Sequence, residues 1–348
     1  MAFSFSSPVR FRYRILRAVL AWTLAGSLVL ALLLAYLWRM HPLLANHGSA
    51  EFEILPGQPA RSIVQSIRLA GVGVPALLIE AAMRFGSKER SYRPGIYRID
   101  AGLTLSGLIA RLARGEFVST EVRIIEGWTF RQIRQALLDR SDLRPVLVSI
   151  EDRDLMARFG EPGVAPEGQF YPDTYVVPKG TQDVLVLQQA HQEMVKHLAQ
   201  AWDSRAADCA TASPQQTLIL ASLVEKESAL PADRPMVAAV LSNRLRIGML
   251  LQTDPAVIYG LGADYDGHLH KRDLALDTPF NTYRRKGLPP TPIAMPGADA
   301  LQAATHPARS NVLYFVARGD GSSEFSVTLA AHERAVVRYR QAVSKGRS

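Results

Sequence analysis

Residues 18–38 read AVLAWTLAGSLVLALLLAYLW, a run of 21 residues without a charged side chain. As a helix this run rises about 1.5 Å per residue, enough to cross a hydrocarbon core of about 30 Å. The preceding residues 1–17 contain Arg10, Arg12, Arg14 and Arg17 and no acidic residue. Because cytoplasmic flanks of membrane spans are rich in Arg and Lys, we expect one transmembrane helix at 18–38. Residues 1–17 would lie in the cytoplasm, and the rest would be exported.

A cleaved signal peptide is the alternative interpretation of this segment. Its apolar region is about 7 to 15 residues long and ends at a small-x-small cleavage site. Here the apolar run is longer and ends in YLWR at 36–39. We therefore favour an uncleaved anchor, followed by a linker at 39–50.

The composition describes a folded protein that is stabilised by packing. The chain has 348 residues, 48% of them hydrophobic, which suits about two domains. Its one cysteine, Cys209, excludes an intramolecular disulfide and a cysteine metal cage. The net charge is +8, four charges of which come from residues 1–17, and no nucleic-acid-binding motif accompanies it. We expect no nucleic-acid partner.

A short pattern recurs three times after the linker. The copies are PGQPA at 56–60, AGLTL at 101–105 and GWTF at 127–130, each followed by apolar residues at helical spacing. A strand ending at glycine and a Thr or Pro opening a helix predict small βα units. The module at 51–118 resembles the LysM type, which binds N-acetylated glycan chains. The spacing alone leaves a purely structural βα module equally open.

The rest of the chain, 119–345, mixes helical and strand patterns. We predict helices at 184–202, 214–230, 235–246, 298–305 and 329–343. Strands are predicted at 312–316 and 324–327, joined by a turn containing RGDG at 318–321. The expected fold class is therefore α+β: one transmembrane helix, the LysM-like module, and a mixed α+β C-terminal region.

The most unusual stretch of this region is LILASLVEKES at 218–228, an apolar helix that ends in two glutamates. On a helix of 3.6 residues per turn, Glu227 continues the apolar stripe, whereas Glu225 lies about 200° away. A carboxyl held against apolar side chains has a raised pKa, which a general acid needs near neutral pH. The alternative is that one glutamate is solvated and the other pairs with Lys226 or Arg234.

Several longer strings carry a resemblance to a known family. They are EGQFYPDTY at 167–175, LASLVEKES at 220–228, NRLRIGM at 243–249, LQTDP at 251–255, VIYG at 257–260, YRRKGLPP at 283–290 and PGADAL at 296–301. Together they closely resemble the endolytic murein transglycosylase (MltG, YceG-like) family. The resemblance implies an inner-membrane enzyme that cuts the β-1,4 bond between N-acetylmuramic acid and N-acetylglucosamine within peptidoglycan strands. It also implies 1,6-anhydro ends, one catalytic glutamate matching Glu227, and no cofactor.

One carboxyl suffices for this chemistry if the nucleophile is part of the sugar. An ordinary glycosidase needs a second carboxylate, as nucleophile or as the base for water. A tethered C6 hydroxyl replaces that water, and well-oriented intramolecular attack removes on the order of 7 kcal/mol of barrier.

Five further residues in the matching strings are candidates for binding the glycan. The predicted substrate-binding residues are Glu167, Gln252, Asp254, Asn281 and Tyr283. Four aromatic residues have two possible roles, stacking on sugar faces or filling the core: Phe170, Tyr171, Tyr175 and Tyr259. We expect no metal site, since His268 and His270 read as part of a solvated loop.

The expected partners are peptidoglycan strands, the inner membrane and, by extension, peptidoglycan synthases near which the enzyme would limit strand length. Two rival functions remain open. One is a muramidase-type hydrolase that uses water, with Glu167, Asp173 or Asp254 as second carboxylate. The other is a non-catalytic, membrane-anchored scaffold that binds peptidoglycan.

Overall fold

A computed structural model describes residues 8–44, 48–86, 92–228 and 230–345. The chain divides into two compact units. The first contains the chain up to Thr120 together with Pro178–Gly180, and the second contains Glu121–Val177 and the chain from Thr181 onward. Of the predicted segments, residues 1–7 of the cytoplasmic stretch and 45–47 of the linker lie outside the described residues.

The first helix, α1, runs Pro8–Arg39. Its part Leu16–Arg39 is long and apolar enough to cross a membrane, and none of it is buried inside the protein. Only its last turn, at Trp38, packs against the core of the first unit. An apolar helix that is exposed over the rest of its length is the pattern expected of a lipid-facing segment.

The rest of the first unit has the order strand, helix, helix, strand, helix. Its elements are β1 (Ala50–Ile54), α2 (Ala60–Leu69), α3 (Ala76–Gly86), β2 (Gly95–Ile99) and α4 (Leu105–Arg114). The two strands pair antiparallel, with Ala50 opposite Ile99 and Ile54 opposite Gly95. Alternate strand residues such as Phe52 and Tyr97 face a core that the helices cover.

The threefold sequence pattern produces the same local structure each time. A strand is followed by a glycine with positive φ, at Gly57, Gly102 and Gly127, and two residues later by the N-cap of a helix. The third copy contributes β3 (Ser119–Arg123) and α5 (Phe130–Leu138). The predicted strand, turn and helix order of these units is confirmed, and a left-handed glycine at the same place explains why the motif keeps it.

The second unit continues with short strands and longer helices. After β3 and α5 come α6 (Asp152–Leu155), β4 (Thr174–Pro178), α7 (Asp183–Asp203), α8 (Pro214–Glu227), α9 (Arg234–Arg246), α10 (Asp254–Leu261), α11 (Lys271–Ala275), α12 (Ala298–Thr305), β5 (Tyr314–Ala317), β6 (Ser323–Ser326) and α13 (Leu329–Lys345). Strand β3 pairs with β4, and β5 with β6 in an antiparallel hairpin. The α+β fold class is confirmed.

Helix α8 lies at the centre of the second unit. Its residues from Thr217 to Val224 are all buried, and the helix packs against α7, α9, α10 and α12. A helix that is surrounded on every side has no amphipathic face, which is why its sequence is apolar all round. Its carboxyl-terminal end is where Glu225 and Glu227 emerge.

Candidate active site

The end of α8 places its last glutamate at the boundary between core and loop. The helix begins under a cap in which the Ser213 hydroxyl accepts the Gln216 N–H, and Pro214 follows at the first helical position. It ends at Glu227 because Ser228 is extended. The predicted helix end at 230 is therefore three residues too late. The partial negative charge at a helix carboxyl terminus disfavours a second negative charge there.

Glu227 carries a carboxyl that favours its protonated form. Burial and, to a smaller extent, the Asp254 carboxylate raise its pKa to about 8, against the opposing effect of the Arg244 guanidinium. Within the described part of the chain no hydrogen bond reaches this carboxyl, although the residue keeps partial exposure. A carboxyl of this kind holds its proton at neutral pH and has it available for a ligand.

Glu225, two residues earlier, has a different environment. Its side chain is only 5% exposed and accepts a hydrogen bond from the Arg234 guanidinium at 2.7 Å. The Gly297 N–H donates to its other oxygen at 3.0 Å. Both interactions favour the charged form and occupy it, although burial raises its pKa. Glu225 thus ties α8 to α9 and to the start of α12. The pairing of one glutamate with Arg234, which the alternative interpretation included, is found for Glu225.

Asp254 and Tyr283 face Glu227 from two other elements. Asp254 is the first residue of α10, and its Oδ1 accepts the Tyr283 hydroxyl at 2.5 Å. Burial and this hydrogen bond raise the pKa of Tyr283, and Asp254 and Glu227 add to the effect. Asp254 is exposed and Tyr283 is partly buried. Both polar side chains are therefore accessible to a ligand that reaches Glu227.

The loop that carries Tyr283 is held by its own buried polar residues. The Asn281 amide donates to the carbonyl oxygens of Leu274 and Leu276 at 3.0 and 2.6 Å, and its oxygen accepts the Tyr283 N–H. Asn281 is 1% exposed. The structure therefore places this predicted substrate-binding side chain inside the loop, where it fixes the position of Tyr283.

Gln252 has a strained backbone next to these residues. It has φ of +53°, a left-handed conformation that no other described non-glycine residue adopts. Its N–H donates to the Thr282 carbonyl, and the Thr253 N–H donates to the Thr282 hydroxyl. The Gln252 residue is exposed, and its side-chain oxygen accepts a hydrogen bond from the Arg244 guanidinium at 3.4 Å.

Arg244 supplies a buried positive charge that was absent from the predicted site residues. Its guanidinium donates to the carbonyl oxygens of Leu313 at 2.7 Å and Leu251 at 2.8 Å. It lies 5.3 Å from the Tyr314 ring centre, and no carboxylate pairs with it among the described residues. Burial lowers its pKa, whereas Glu227 and the two tyrosines raise it.

Glu167 lies in the loop before β4 and contacts α10 at Tyr259, beyond the first residue of that helix, Asp254. Its carboxylate accepts the Phe130 N–H at 3.0 Å, at the start of α5, and the Tyr259 hydroxyl at 3.1 Å. Burial raises its pKa to about 7 against these hydrogen bonds. Glu167 and Tyr259 line a cleft of about 720 Å³, together with Arg131 and Tyr265. A cleft of this volume accommodates a ligand of several sugar rings.

The aromatic candidates divide between the core and the cleft. Phe170 is fully buried, with its ring stacked on Phe130 at 5.5 Å. Tyr175 is 3% exposed and donates to the Tyr171 carbonyl, and the Tyr171 ring lies 3.9 Å from the His197 ring. These three rings fill the core and are not available to stack on a sugar. Tyr259 lines the cleft and remains a candidate.

His268 and His270, which were predicted to lie in a solvated loop, are both exposed. His270 is the N-cap of α11. Its Nε2 lies 3.0 Å from a carboxylate oxygen of Asp266, and its side chain is exposed. Across the part of the chain that the structure describes, no three His, Cys, Asp or Glu side chains are grouped as metal ligands would be.

Comparison with known proteins identifies the family. The profile of the YceG-like family matches residues 52–338. The chain belongs to the YceG-like family. The endolytic murein transglycosylase of Bacillus subtilis (strain 168) is 31% identical over 267 residues, which cover 71% of this chain and 73% of that protein.

Two further relatives of this YceG-like chain differ in coverage. The endolytic murein transglycosylase of Streptococcus pneumoniae serotype 2 (strain D39) is 27% identical over 92% of this chain, which spans 65% of the length of that protein. A crystal structure of a YceG-like protein from Listeria monocytogenes has a TM-score of 0.54 and 26% identity. It covers 83% of this chain and 99% of its own.

Arg244 is the site residue of the YceG-like chain that reasoning from the sequence missed. An arginine between Ser242 and Leu245 on a helix reads as an exposed position or a helix end. The signal that was present is its place in the NRLRIGM string. Only the tertiary structure brings the carbonyl oxygens of Leu251 and Leu313 around its guanidinium.

Proposed function

We propose that this chain is an endolytic murein transglycosylase with Glu227 as its catalytic acid and base. It would cleave the bond between N-acetylmuramic acid and N-acetylglucosamine inside peptidoglycan strands. The observation that carries the proposal is the carboxyl at the end of α8, which keeps its proton at neutral pH and has no hydrogen-bond partner among the described residues. The names of the curated relatives support the reaction class.

In the proposed reaction Glu227 moves one proton twice. First the acid gives its proton to the glycosidic oxygen, and the bond from that oxygen to C1 of the muramic residue breaks. Then the C6 hydroxyl of the same residue attacks C1 and gives its proton to the Glu227 carboxylate. The products are a strand with a free 4-hydroxyl and a strand with a 1,6-anhydro end. No water is consumed, and the acid is regenerated.

Arg244 and Asp254 have opposite effects on these two steps. Asp254 favours the protonated acid that begins the reaction, and Arg244 favours the carboxylate present after the first transfer. Because Arg244 is held by backbone carbonyl oxygens, its charge does not need to reorganise during the reaction.

The predicted binding residues have different parts in this proposal. Gln252, Asp254 and Tyr283 would contact the sugars beside Glu227, and Asn281 would act by positioning Tyr283. Glu167 would bind a more distant part of the strand in the cleft of about 720 Å³. Its carboxylate already accepts hydrogen bonds from Phe130 and Tyr259, so it suits binding better than activation of a water molecule.

The location of the enzyme also belongs to the proposal. Helix α1 would anchor the chain in the inner membrane as a single span, with its N-terminus cytoplasmic and the bulk of the chain periplasmic. The order β1, α2, α3, β2 supports a LysM-like glycan-binding role for the first unit. Cutting near the membrane would limit the length of new strands, beside the peptidoglycan synthases that polymerise them.

The test is digestion of purified peptidoglycan strands by the wild type and by Glu227→Gln, read by mass spectrometry. We expect the wild type to produce internal cuts with anhydro ends, and Glu227→Gln to lose at least about 1,000-fold in rate. Lys226→Gln, at an exposed neighbour, should retain activity, and Glu225→Gln should retain it wherever melting shows it folded.

Each alternative gives a distinct result. Ends that are heavier by one water would indicate a muramidase-type hydrolase. Unchanged strand lengths and ends with both the wild type and Glu227→Gln would indicate a binding scaffold. A folded Glu225→Gln protein that loses its activity, together with a Glu227→Gln protein that keeps it, would show that Glu225 and not Glu227 is the catalytic acid.

A further inference from the structure

Helix α3 has apolar side chains on the side that the core does not cover. Ile79 and Met83 face the core and are 0% and 4% exposed, whereas Leu77 and Phe85 are 77% and 84% exposed. Together with Ala81, these two residues recur at every fourth position and form one stripe, which we call the outer face of α3. Large apolar side chains grouped in this way on a soluble surface mark an interaction site.

The outer face adjoins the last turn of α1. A groove of about 420 Å³ separates the two helices. On one side it is lined by residues of α1 between Leu34 and Trp38, and on the other by Leu78, Ala81 and Phe85 of α3. The groove is therefore apolar on both sides.

The position along α1 fixes the depth of α3. If α1 spans the membrane up to Trp38, then residue 34 lies about 6 Å inside the end of the span, at 1.5 Å per residue. The α3 residues that line the groove, Leu78, Ala81 and Phe85, lie at the same height, and Leu77 is the direct neighbour of Leu78. That height is the boundary between acyl chains and headgroups, where amphipathic helices bury their apolar faces.

We propose that the outer face of α3 inserts into the membrane interface beside α1, so that lipid fills the groove between the two helices. The proposal rests on the membrane anchoring of α1 proposed above. The occupant is lipid and not a second chain, because α1 itself needs lipid around it at this height. Arg84, exposed next to Phe85, can extend its guanidinium toward the lipid phosphates while its stem stays in the apolar layer.

The test places a fluorescent label at single positions of the full chain in lipid nanodiscs that hold one chain each. In a Cys209→Ser background, a cysteine replaces Leu77, Phe85, Leu28 or Leu69 in turn. Each labelled protein is measured with and without phosphatidylcholine that carries a doxyl quencher near the headgroup or deep in the acyl chain. Leu28 reports the span of α1, and Leu69, which is 81% exposed at the end of α2, is the matched control for an exposed apolar position.

We expect the shallow quencher to reduce emission from positions 77 and 85 at least about twofold, with little effect at 69. The deep quencher should act most at 28. Quenching at 77 and 85 no greater than at 69, with 28 quenched, would overturn the docking of α3 and leave the anchor intact. Absence of quenching at 28 would overturn the anchor and, with it, the docking. A second arm uses discs that hold two chains each. Shielding of positions 77 and 85 from the quencher in these discs, with 28 still quenched, would show that a second chain covers the outer face and would overturn lipid as the occupant.

Discussion

Glu225 and Glu227, which are separated by one residue, have different charged neighbours, and these neighbours determine which of the two can act as an acid. Glu225 has a guanidinium at 2.7 Å, whereas the charges of Asp254 and Arg244 shift the pKa of Glu227 in opposite directions. A general acid works while it is protonated, so activity should be full below its pKa and fall above it. We predict that kcat/KM for glycan cleavage declines as the pH rises through about 8.

Substitution of Asp254 tests the origin of that alkaline limb. Asp254→Asn removes a negative charge that raises the pKa of Glu227, so the limb should move to lower pH by about one unit. Arg244→Gln should move it to higher pH. Tyr283→Phe keeps the Asp254 charge and should leave the limb in place, even if it lowers the rate. If the pH of the alkaline limb is unchanged in both Asp254→Asn and Arg244→Gln, the limb does not report the ionisation of Glu227.

The raised pKa of Glu227 also predicts a cost in stability. The unfolded carboxyl has a pKa near 4.5 and the folded one about 8, so the folded state binds more protons between these values and loses stability as the pH rises through that window. Glu227→Gln removes this loss. We expect it to be more stable than the wild type by roughly 2 kcal/mol at pH 8, with allowance for partial exposure, and by little at pH 5.

The neighbouring glutamate provides the contrast for this measurement. Glu225→Gln removes the closest carboxylate of the buried Arg234, at 2.7 Å, and leaves Glu126 and Asp299, each at 3.7 Å. Because these two partly replace the lost charge, we expect the substitution to destabilise the protein by about 2 kcal/mol, less than the loss of a lone buried ion pair. Thermal melting of the full chain in detergent at both pH values reads the two effects. A Glu227→Gln protein that melts below the wild type at pH 8 would contradict a desolvated acid.

At the scale of elements, one glycine controls how two loops meet in the second unit. Gly168 follows Glu167 and has φ of +79°, and a Cβ there would lie 2.4 Å from Cβ of Pro292. Gly163, with φ of +83°, has nothing within 4 Å. Gly163→Ala should therefore cost only the backbone strain, about 1 kcal/mol.

Gly168→Ala adds a steric clash to the same strain. We expect it to cost at least about 2 kcal/mol more than Gly163→Ala in thermal melting, because proline cannot move aside as a flexible side chain does. It should also lower glycan binding, since Glu167 moves with the loop. Equal melting temperatures for the two variants would show that the loops separate freely.

Local signals in the sequence predicted the positions of helices and strands better than they predicted which strands pair. The periodicity at 184–202 and 298–305 matches α7 and α12 within one residue, because each helix carries its own apolar face. The hairpin predicted around residues 318–321 is confirmed, with strands one or two residues shorter or shifted. The pairing of β1 with β2 was not predicted, since two helices separate the strands and nothing local records which strands meet.

The site was predictable where one helix determines it and not where distant loops do. Helical geometry predicted the difference between the two glutamates only in part: Glu227 continues an apolar stripe, but α8 is buried on every side, and the Glu225 side chain is buried as well. The burial of Glu225 depends on Arg234 and Gly297, the inward position of Asn281 depends on the carbonyl oxygens of Leu274 and Leu276, and neither follows from a local pattern. Roles that depend on partners from other elements need the tertiary structure.

At the scale of the whole molecule, the distribution of charge around α1 predicts which side of the membrane the second unit occupies. Residues 1–17 contain four arginines and no acid, and positive flanks remain cytoplasmic. Alkaline phosphatase fused after Ser348 should therefore be active in cells, whereas a green fluorescent protein at the same place should stay dark after Sec export.

Removing the same four charges should weaken this orientation of the chain in the membrane. Replacing Arg10, Arg12, Arg14 and Arg17 by Gln removes the charge asymmetry, and we expect a measurable fraction of chains to insert the other way, with phosphatase activity falling at least about twofold. The control variant carries four Arg→Gln changes far from α1, at the exposed Arg318, Arg334, Arg338 and Arg340, so that its composition matches. Because long exported regions hardly influence orientation, this variant should keep its phosphatase activity. A wild-type fusion that fluoresces and lacks phosphatase activity would place the second unit in the cytoplasm, away from any peptidoglycan, and the proposed reaction would then have no substrate.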